Sequence, residues 1–307
     1  MNTLNLVRNN IQGRKCITAG IVFLFFCIFS GALSASASNG KVPVTVSCKW
    51  LEDNISDPDL VVLQVSAILK DYENGHIPGA KFLWPNWVIV STENESVIPA
   101  ETKQLKKVLE GVGISNNSHI VLSGIYGNLV TVCRIFMTLD HIGLGDRVSI
   151  LEGGFDEWKT SGRKVSTENP KAVKGKLLLS VQSNVVNTDW VAQNLTNKAY
   201  CIIDARPKTF YEGSTGTPRQ GHIPGAKNLP NTDLFDSKTN HFLSPGKLQE
   251  LFSALKISDG TRPVFYCNLG NSASVDFVAA LIAGYNPIIY DGSMEAWGSR
   301  YDLPVEK

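Results

Sequence analysis

The chain has 307 residues, about twice an ordinary domain, with 43% hydrophobic and 19% charged residues. Two domains with ample core are expected, and wholesale disorder is excluded. A balance of 29 Lys+Arg against 28 Asp+Glu leaves no basic face for nucleic acid, and six cysteines are too few for a disulfide scaffold at this length.

Residues 1–15 carry Arg8, Arg14 and Lys15 and no acidic residue; residues 16–33 are apolar; Ala35-Ser36-Ala37 then puts small residues at both positions a signal peptidase inspects. Residues 1–37 therefore read as a secretory signal. The mature protein is expected to be exported, periplasmic or secreted, with no membrane attachment. A retained anchor is the alternative, since the apolar run is just long enough to span. Cleavage removes three basic and no acidic groups, turning the net charge from +1 to −2. Cys48, Cys133, Cys201 and Cys267 remain. Cys133 and Cys201 sit in apolar runs and read as small buried hydrophobes.

The rest of the chain is written twice. Gly75-His76-Ile77-Pro78-Gly79-Ala80-Lys81 returns 146 residues later as Gly221-His222-Ile223-Pro224-Gly225-Ala226-Lys227. Leu105, Val108, Leu109 and Val112 form a helical stripe that Leu248, Leu251, Phe252 and Leu255 repeat. Ser244 and Pro245 suit the N-cap and first position of the second helix. Glu152-Gly153-Gly154-Phe155-Asp156-Glu157-Trp158 answers to Asp291-Gly292-Ser293-Met294-Glu295-Ala296-Trp297. Apolar runs at 60–65, 119–123 and 148–151, and again at 200–204, 263–267 and 287–290, predict strands covered on both faces. Their alternation with helices predicts an α/β fold in duplicate, each copy a doubly wound, mainly parallel sheet with helices on both faces. The expected domains are 42–165 and 179–307, with the polar stretch 166–178 as linker.

In both copies the Gly-His-Ile-Pro-Gly-Ala segment reads as a tight turn, with His76 and His222 as its hydrogen-bonded residues. Together with His119, His141 and His241 they offer no ligand-like spacing, so no metal is expected.

Cys267 ends the predicted strand at 263–267, and Asn268-Leu269-Gly270-Asn271-Ser272-Ala273 leads from it into a helical stripe of Val275, Val278, Ala279 and Ile282. A cysteine there stands at the carboxyl edge of an α/β sheet, where ligand sites lie. Free N–H groups and the helix dipole favour an anion at that point, so the thiolate is stabilised and reactive. Gly270 lets the loop close around the sulfur. The alternative is one more buried strand cysteine.

The doubled Gly-His-Ile-Pro-Gly-Ala, Asp204-Ala205-Arg206, Cys267 opening a six-residue loop, and a Gly-x-x-x-x-Trp ending in each half together resemble tandem rhodanese-type sulfurtransferases over nearly all of residues 45–305. The resemblance implies that only the second copy is catalytic and that a cysteine persulfide forms. Cys267 matches the sulfur carrier and Asn268 to Ala273 the cradle loop; no metal or organic cofactor is implied. The partners implied are a small sulfur donor and a thiol or cyanide acceptor, with an acceptor protein as a further option.

Both copies depart from the pattern. In the first, Ser123 is taken to fill the cysteine position and Gln64-Val65-Ser66 replaces Asp-x-Arg, so this copy is expected to be inactive and to wall the cleft. Trp84 and Trp87 would pack in its core or line that wall, and core packing is the favoured reading. In the second copy the thiosulfate branch would show Cys-Arg-Lys-Gly-Val-Thr and the mercaptopyruvate branch Cys-Gly-Ser-Gly-Val-Thr. Here Asn268 and Leu269 replace both cations of the one and the Ser of the other. Phe210 stands where the mercaptopyruvate branch binds substrate with Arg. Arg206 is then the cation expected near the site, as a substrate ligand or as an ion pair holding the loop, and Arg219 is a weaker candidate. A phosphatase-like use of the loop is disfavoured because no Arg closes it after Ser272. The alternative to an enzyme is a sulfur or selenium carrier, or a partner-binding module, without fast turnover.

Overall fold

The computed structural model describes residues 41–92, 97–171, 173–215, 219–258 and 260–307. The expected secretory segment lies outside the described residues. The first half runs β1 (Thr45–Val46), α1 (Cys48–Asn54), β2 (Leu60–Val65), α2 (Leu69–Asn74), β3 (Lys81–Leu83), β4 (Ile89–Val90), β5 (Ile98–Pro99), α3 (Thr102–Gly111), β6 (His119–Ser123), α4 (Leu129–His141), β7 (Val148–Leu151) and α5 (Gly154–Thr160). The second runs β8 (Val185–Val186), α6 (Thr188–Asn194), β9 (Tyr200–Asp204), α7 (Lys208–Tyr211), β10 (Lys227–Asn228), β11 (Phe235–Asp236), β12 (His241–Phe242), α8 (Pro245–Ala254), β13 (Arg262–Tyr266), α9 (Ala273–Ile282), β14 (Ile288–Tyr290) and α10 (Ser293–Ser299).

Each half builds a parallel sheet with the same strand order, β1-β7-β6-β2-β3 and β8-β14-β13-β9-β10. Alternate strand residues enter opposite cores. Ile120 and Leu122 face one and Val121 the other; Phe265 faces one, Val264 and Tyr266 the other. Two of the three apolar cores belong to a single half each, beneath α1 and α5 or α6 and α10. The third joins both halves, because Val132, Cys133 and Phe136 of α4 share it with Val275, Val278 and Ala279 of α9. Helices therefore cover both faces of each sheet.

Local chemistry repeats with the topology. Ser47 caps α1 and Asn187 caps α6, each accepting an N–H three residues on. Ser244 caps α8 with Pro245 at its first position, as the sequence predicts. His76 and His222 are held as the turn reading requires. Their rings stack on Tyr72 and Tyr211 at 4.0 and 3.8 Å, and each Nδ1 meets that tyrosine's carbonyl.

The stretch 166–178 does not hang free. Gly175 N–H donates to the Glu110 carbonyl at 2.8 Å, Asn116 N–H to the Lys176 carbonyl at 3.1 Å, and Leu177 is buried in the shared core. Trp84 and Trp87 depart from the favoured reading: they are 39% and 37% exposed and pack edge to face on the surface. Pro85 follows Trp84 and opens a short 3-10 turn, Pro85–Trp87, that buries the proline between the two tryptophans in sequence and leaves both rings outside.

Candidate active site

The pairing register corrects one expectation. Ser123 lies opposite Gln64 in the first sheet, as Tyr266 lies opposite Asp204 in the second. The residue aligned with Cys267 is therefore Gly124, not Ser123. Main-chain bonds agree: Phe155 N–H meets the Gly124 carbonyl at 2.8 Å, as Met294 N–H meets the Cys267 carbonyl at 3.0 Å. Counting from the ends of apolar runs misses this because Cys267 itself is apolar enough to extend the run one residue past β13. The first domain thus has no side chain at the nucleophile position.

Cys267 is 2% exposed and follows the last residue of β13. Its Sγ accepts the Gly270 N–H at 3.1 Å, and its own N–H donates to Ser293 Oγ at 3.1 Å. Ser293 Oγ donates in turn to the Tyr290 carbonyl at 3.0 Å. Glu295 N–H donates to the Asn268 carbonyl at 3.0 Å, so with Met294 the first turn of α10 holds the carbonyls of both Cys267 and Asn268. Ser293 adopts φ +49°, a conformation uncommon for a side-chain-bearing residue. Its counterpart Gly154 has φ +58° and carries no hydroxyl.

Gly270 is required twice over. Its φ is +88°, and a Cβ there would stand 2.8 Å from Asp291 Oδ1 and 2.9 Å from the Asp291 carbonyl oxygen. Beyond it, Asn271 and Ser272 are half-buried, Ala273 is buried at the start of α9, and Leu269 is 39% exposed. Ser274 Oγ closes the loop onto the Gly270 carbonyl at 3.1 Å.

Arg206 lies under the loop, 2% exposed. It gives Nε and Nη2 to the Asp204 carboxylate, Nη2 also to the Gly221 carbonyl at 2.7 Å, and Nη1 to Asn268 Oδ1 at 3.4 Å. Its guanidinium lies 5.9 Å from the Phe210 ring centroid. Burial pulls its pKa down, but Asp204 and the nearby Tyr266 and Cys267 more than offset that and leave it above the ordinary value. Of the two roles anticipated for Arg206, anchoring the loop describes its contacts. Arg219 instead donates to the carbonyls of Arg300 and Leu303 at 3.2 and 2.8 Å and covers the Tyr301 ring, so its contacts tie down the C-terminal segment. In the first domain Gln64 takes over the anchoring pattern, donating to the Gly75 carbonyl and accepting the Ile77 N–H.

Cys48, Cys133 and Cys201 sit in environments that favour the thiol. Burial pushes Cys133 well up, with Asp276 adding to it, raises Cys48 to about 11, and raises Cys201. Among the described residues none is in a disulfide, and no His, Cys, Asp and Glu group is arranged to hold a metal.

A cleft of about 410 Å³ opens where Asn271 faces the first domain. Its polar lining is Asn86, Ser91, Thr131 and Asn271, the remainder is apolar, and no charged residue lines it among the described residues. In the first domain a pocket of about 20 Å³ lies over Gly124 and Gly127, with Asn240 of the β11–β12 turn against Gly127. His241 beside it pairs with Glu157 of α5.

The sequence reading missed Ser293, Asp291 and Arg134. The repeated Gly-x-x-x-x-Trp carried a signal for the first two, since it marks a segment that both copies need. Arg134 had only the oddity of a lone cation in the apolar run 129–137.

The family model for the rhodanese-like domain matches twice, at residues 47–161 and 187–300. Thiosulfate sulfurtransferase of Mus musculus is 30% identical over 283 residues, covering 83% of this chain and 92% of that one. The 3-mercaptopyruvate sulfurtransferase of Escherichia coli K12 is 28% identical, covering 85% and 97%, and the sulfur carrier protein TtuD of Thermus thermophilus is 29% identical, covering 86% and 96%. The solved structure of the anaerobic ergothioneine biosynthesis enzyme from Chlorobium limicola superposes with a TM-score of 0.75 at 21% identity, over 86% of this chain and 70% of that one, which establishes likeness of fold. The chain belongs to the rhodanese-like family, as a two-domain sulfurtransferase.

Proposed function

We propose that this sulfurtransferase carries sulfur on Cys267. The Cys267 thiolate attacks the outer sulfur of a sulfane donor R–S–S⁻, the donor's sulfur–sulfur bond breaks, and R–S⁻ leaves with the electron pair. With 3-mercaptopyruvate the broken bond is carbon–sulfur, and the pyruvate enolate leaves and takes a proton. The product in each case is the Cys267 persulfide anion. A thiolate or cyanide then attacks the terminal sulfur and restores the Cys267 thiolate, so no external oxidant or reductant is consumed. The observation that carries this reading is the 3.1 Å contact from the Gly270 N–H to Cys267 Sγ on a loop whose Asn271 lines a cleft about 410 Å³ in volume. A preorganised N–H donor aimed at sulfur stabilises negative charge there at no reorganisation cost.

The test is mass spectrometry of the Cys267 peptide after exposure to thiosulfate, 3-mercaptopyruvate or polysulfide. A gain of about 32 Da, one sulfur atom on the cysteine, identifies the donor; no gain from any of them overturns the reading. A carrier that delivers sulfur to an acceptor protein would use the same persulfide, and steady turnover with cyanide separates an enzyme from such a carrier. The secretory reading of residues 1–37 places this chemistry outside the cytoplasm. Intact mass of the exported protein checks it, and a mass that retains the segment argues for an anchor.

A further inference from the structure

Arg134 sits on α4 of the first domain with no solvent exposure, yet it meets the sulfur cradle of the second. Nη1 and Nη2 bind both oxygens of Asp291, the second at 2.8 Å, and Nη2 also takes the Val97 carbonyl at 2.8 Å. A Cβ on Gly270 would stand 3.3 Å from Arg134 Nη1 and 2.8 Å from Asp291 Oδ1. The ion pair therefore lies against the residue whose N–H holds Cys267 Sγ. Asp291 also leads directly into Gly292 and Ser293, whose hydroxyl accepts the Cys267 N–H.

We infer that Arg134 is a positioning residue for sulfur transfer: the first domain, which has no nucleophile, sets the geometry of the Cys267 cradle through the Arg134–Asp291 pair. Domain attachment alone does not call for it, because α4 and α9 already share an apolar core. A buried ion pair seldom adds stability over apolar residues of the same size, and here Arg134 Nε has no hydrogen-bond partner among the described residues, which adds to its cost. What the pair supplies is placement. It fixes Asp291, and Asp291 bounds the cradle on the Gly270 side and the Ser293 side. Small displacements of such a frame are expensive, since about 1 Å of misplacement costs on the order of 10²-fold in rate.

The inference rests on Cys267 as the sulfur carrier, and the experiment separates the two. In the full chain, Arg134→Met, Arg134→Lys and Asp291→Asn are compared with wild type by circular dichroism. The pH dependence of iodoacetamide alkylation is then followed on the Cys267 peptide, along with polysulfide-to-cyanide transfer. Folded Arg134→Met is expected to move the alkylation midpoint up by about one pH unit or more and to lower kcat at least about tenfold, with KM within about threefold. Arg134→Lys should recover part of both. If Arg134→Met does not fold, Arg134→Lys and Asp291→Asn are read in the same way. Variants that keep the wild-type alkylation profile and kcat overturn the inference. Wild-type protein that takes up no sulfur at Cys267 overturns the carrier reading instead, while the alkylation profiles still decide whether Arg134 positions the thiol.

Discussion

Arg206 is bound to Asp204 through Nε and Nη2 at 2.6 to 3.1 Å, and its main-chain N–H reaches the same carboxylate at 3.0 Å. Both side chains are buried, and Tyr266 donates to Asp204 as well, at 2.9 Å. This cluster lies beneath the loop that follows Cys267, which Arg206 reaches through Asn268 Oδ1 at 3.4 Å.

Arg206→Ala should therefore act first on stability. Removing it leaves the Asp204 carboxylate buried beside Tyr266 without its cation, a loss of about 3–5 kcal/mol for a broken buried pair. Urea titration at neutral pH measures it. A variant as stable as wild type but with a selectively raised donor KM would show that the guanidinium serves substrate.

Ser123→Ala should leave sulfur transfer unchanged. Ser123 aligns with Tyr266 and not with the nucleophile, and its buried hydroxyl has no hydrogen-bond partner among the described residues. Deleting an unsatisfied buried hydroxyl is expected to be neutral or to stabilise by about 1 kcal/mol. Steady-state kinetics with a thermal melt checks both, and a loss of turnover beyond about tenfold in folded protein would give the first domain a chemical role.

Thiosulfate should be a poor donor, with a high KM that does not rise with salt, because salt screens the repulsion between the dianion and the thiolate. Asn268 and Leu269 bring no charge to the loop, the adjoining cleft shows no cation among the described residues, and Arg206 is already matched by Asp204. A dianion brought up to the attacking thiolate then meets little positive charge. Asn268→Arg combined with Leu269→Lys should lower that KM. Kinetics at two ionic strengths decide it, and wild-type saturation at micromolar thiosulfate would refute the argument.

Asp276 should make the fold less stable as pH rises. It is fully buried on α9, and neither carboxyl oxygen has a hydrogen-bond partner among the described residues. Burial holds its pKa well above the usual carboxylate range, with the charges of Asp204 and Asp233 adding to it. Above about pH 4 the unfolded chain releases this proton while the folded chain keeps it, so stability falls by up to about 1.4 kcal/mol per pH unit until the folded group titrates. Asp276→Asn keeps the shape and removes the titration. Its stability relative to wild type should climb between pH 4 and 7 in urea titrations; a difference that is flat with pH would show that the carboxyl finds a partner in solution.

The sequence by itself determined the duplicated α/β architecture, because that information is local and repeated. Apolar runs bounded strands such as Leu60–Val65 and Tyr200–Asp204 to the residue, and helical stripes located α3 and α8, the latter with its Ser244 cap. It also singled out Cys267 and Gly270, whose contact through the Gly270 N–H spans only three residues of the chain.

Tertiary structure alone decided what depends on register and on contacts between distant segments. A one-residue difference in strand pairing moved the nucleophile position of the first domain from Ser123 to Gly124, and periodicity cannot see that, since both lie at the end of the same apolar run. The meeting of Arg134 with Asp291 spans 157 residues and two domains. Nothing in the local pattern of either residue encodes it: a lone cation in an apolar helix finds its partner only when α4 packs on α9. The division of labour between Arg206 and Arg219 followed in the same way from carbonyls and carboxylates that folding brings within about 3 Å, the range at which a hydrogen bond commits a guanidinium to one partner.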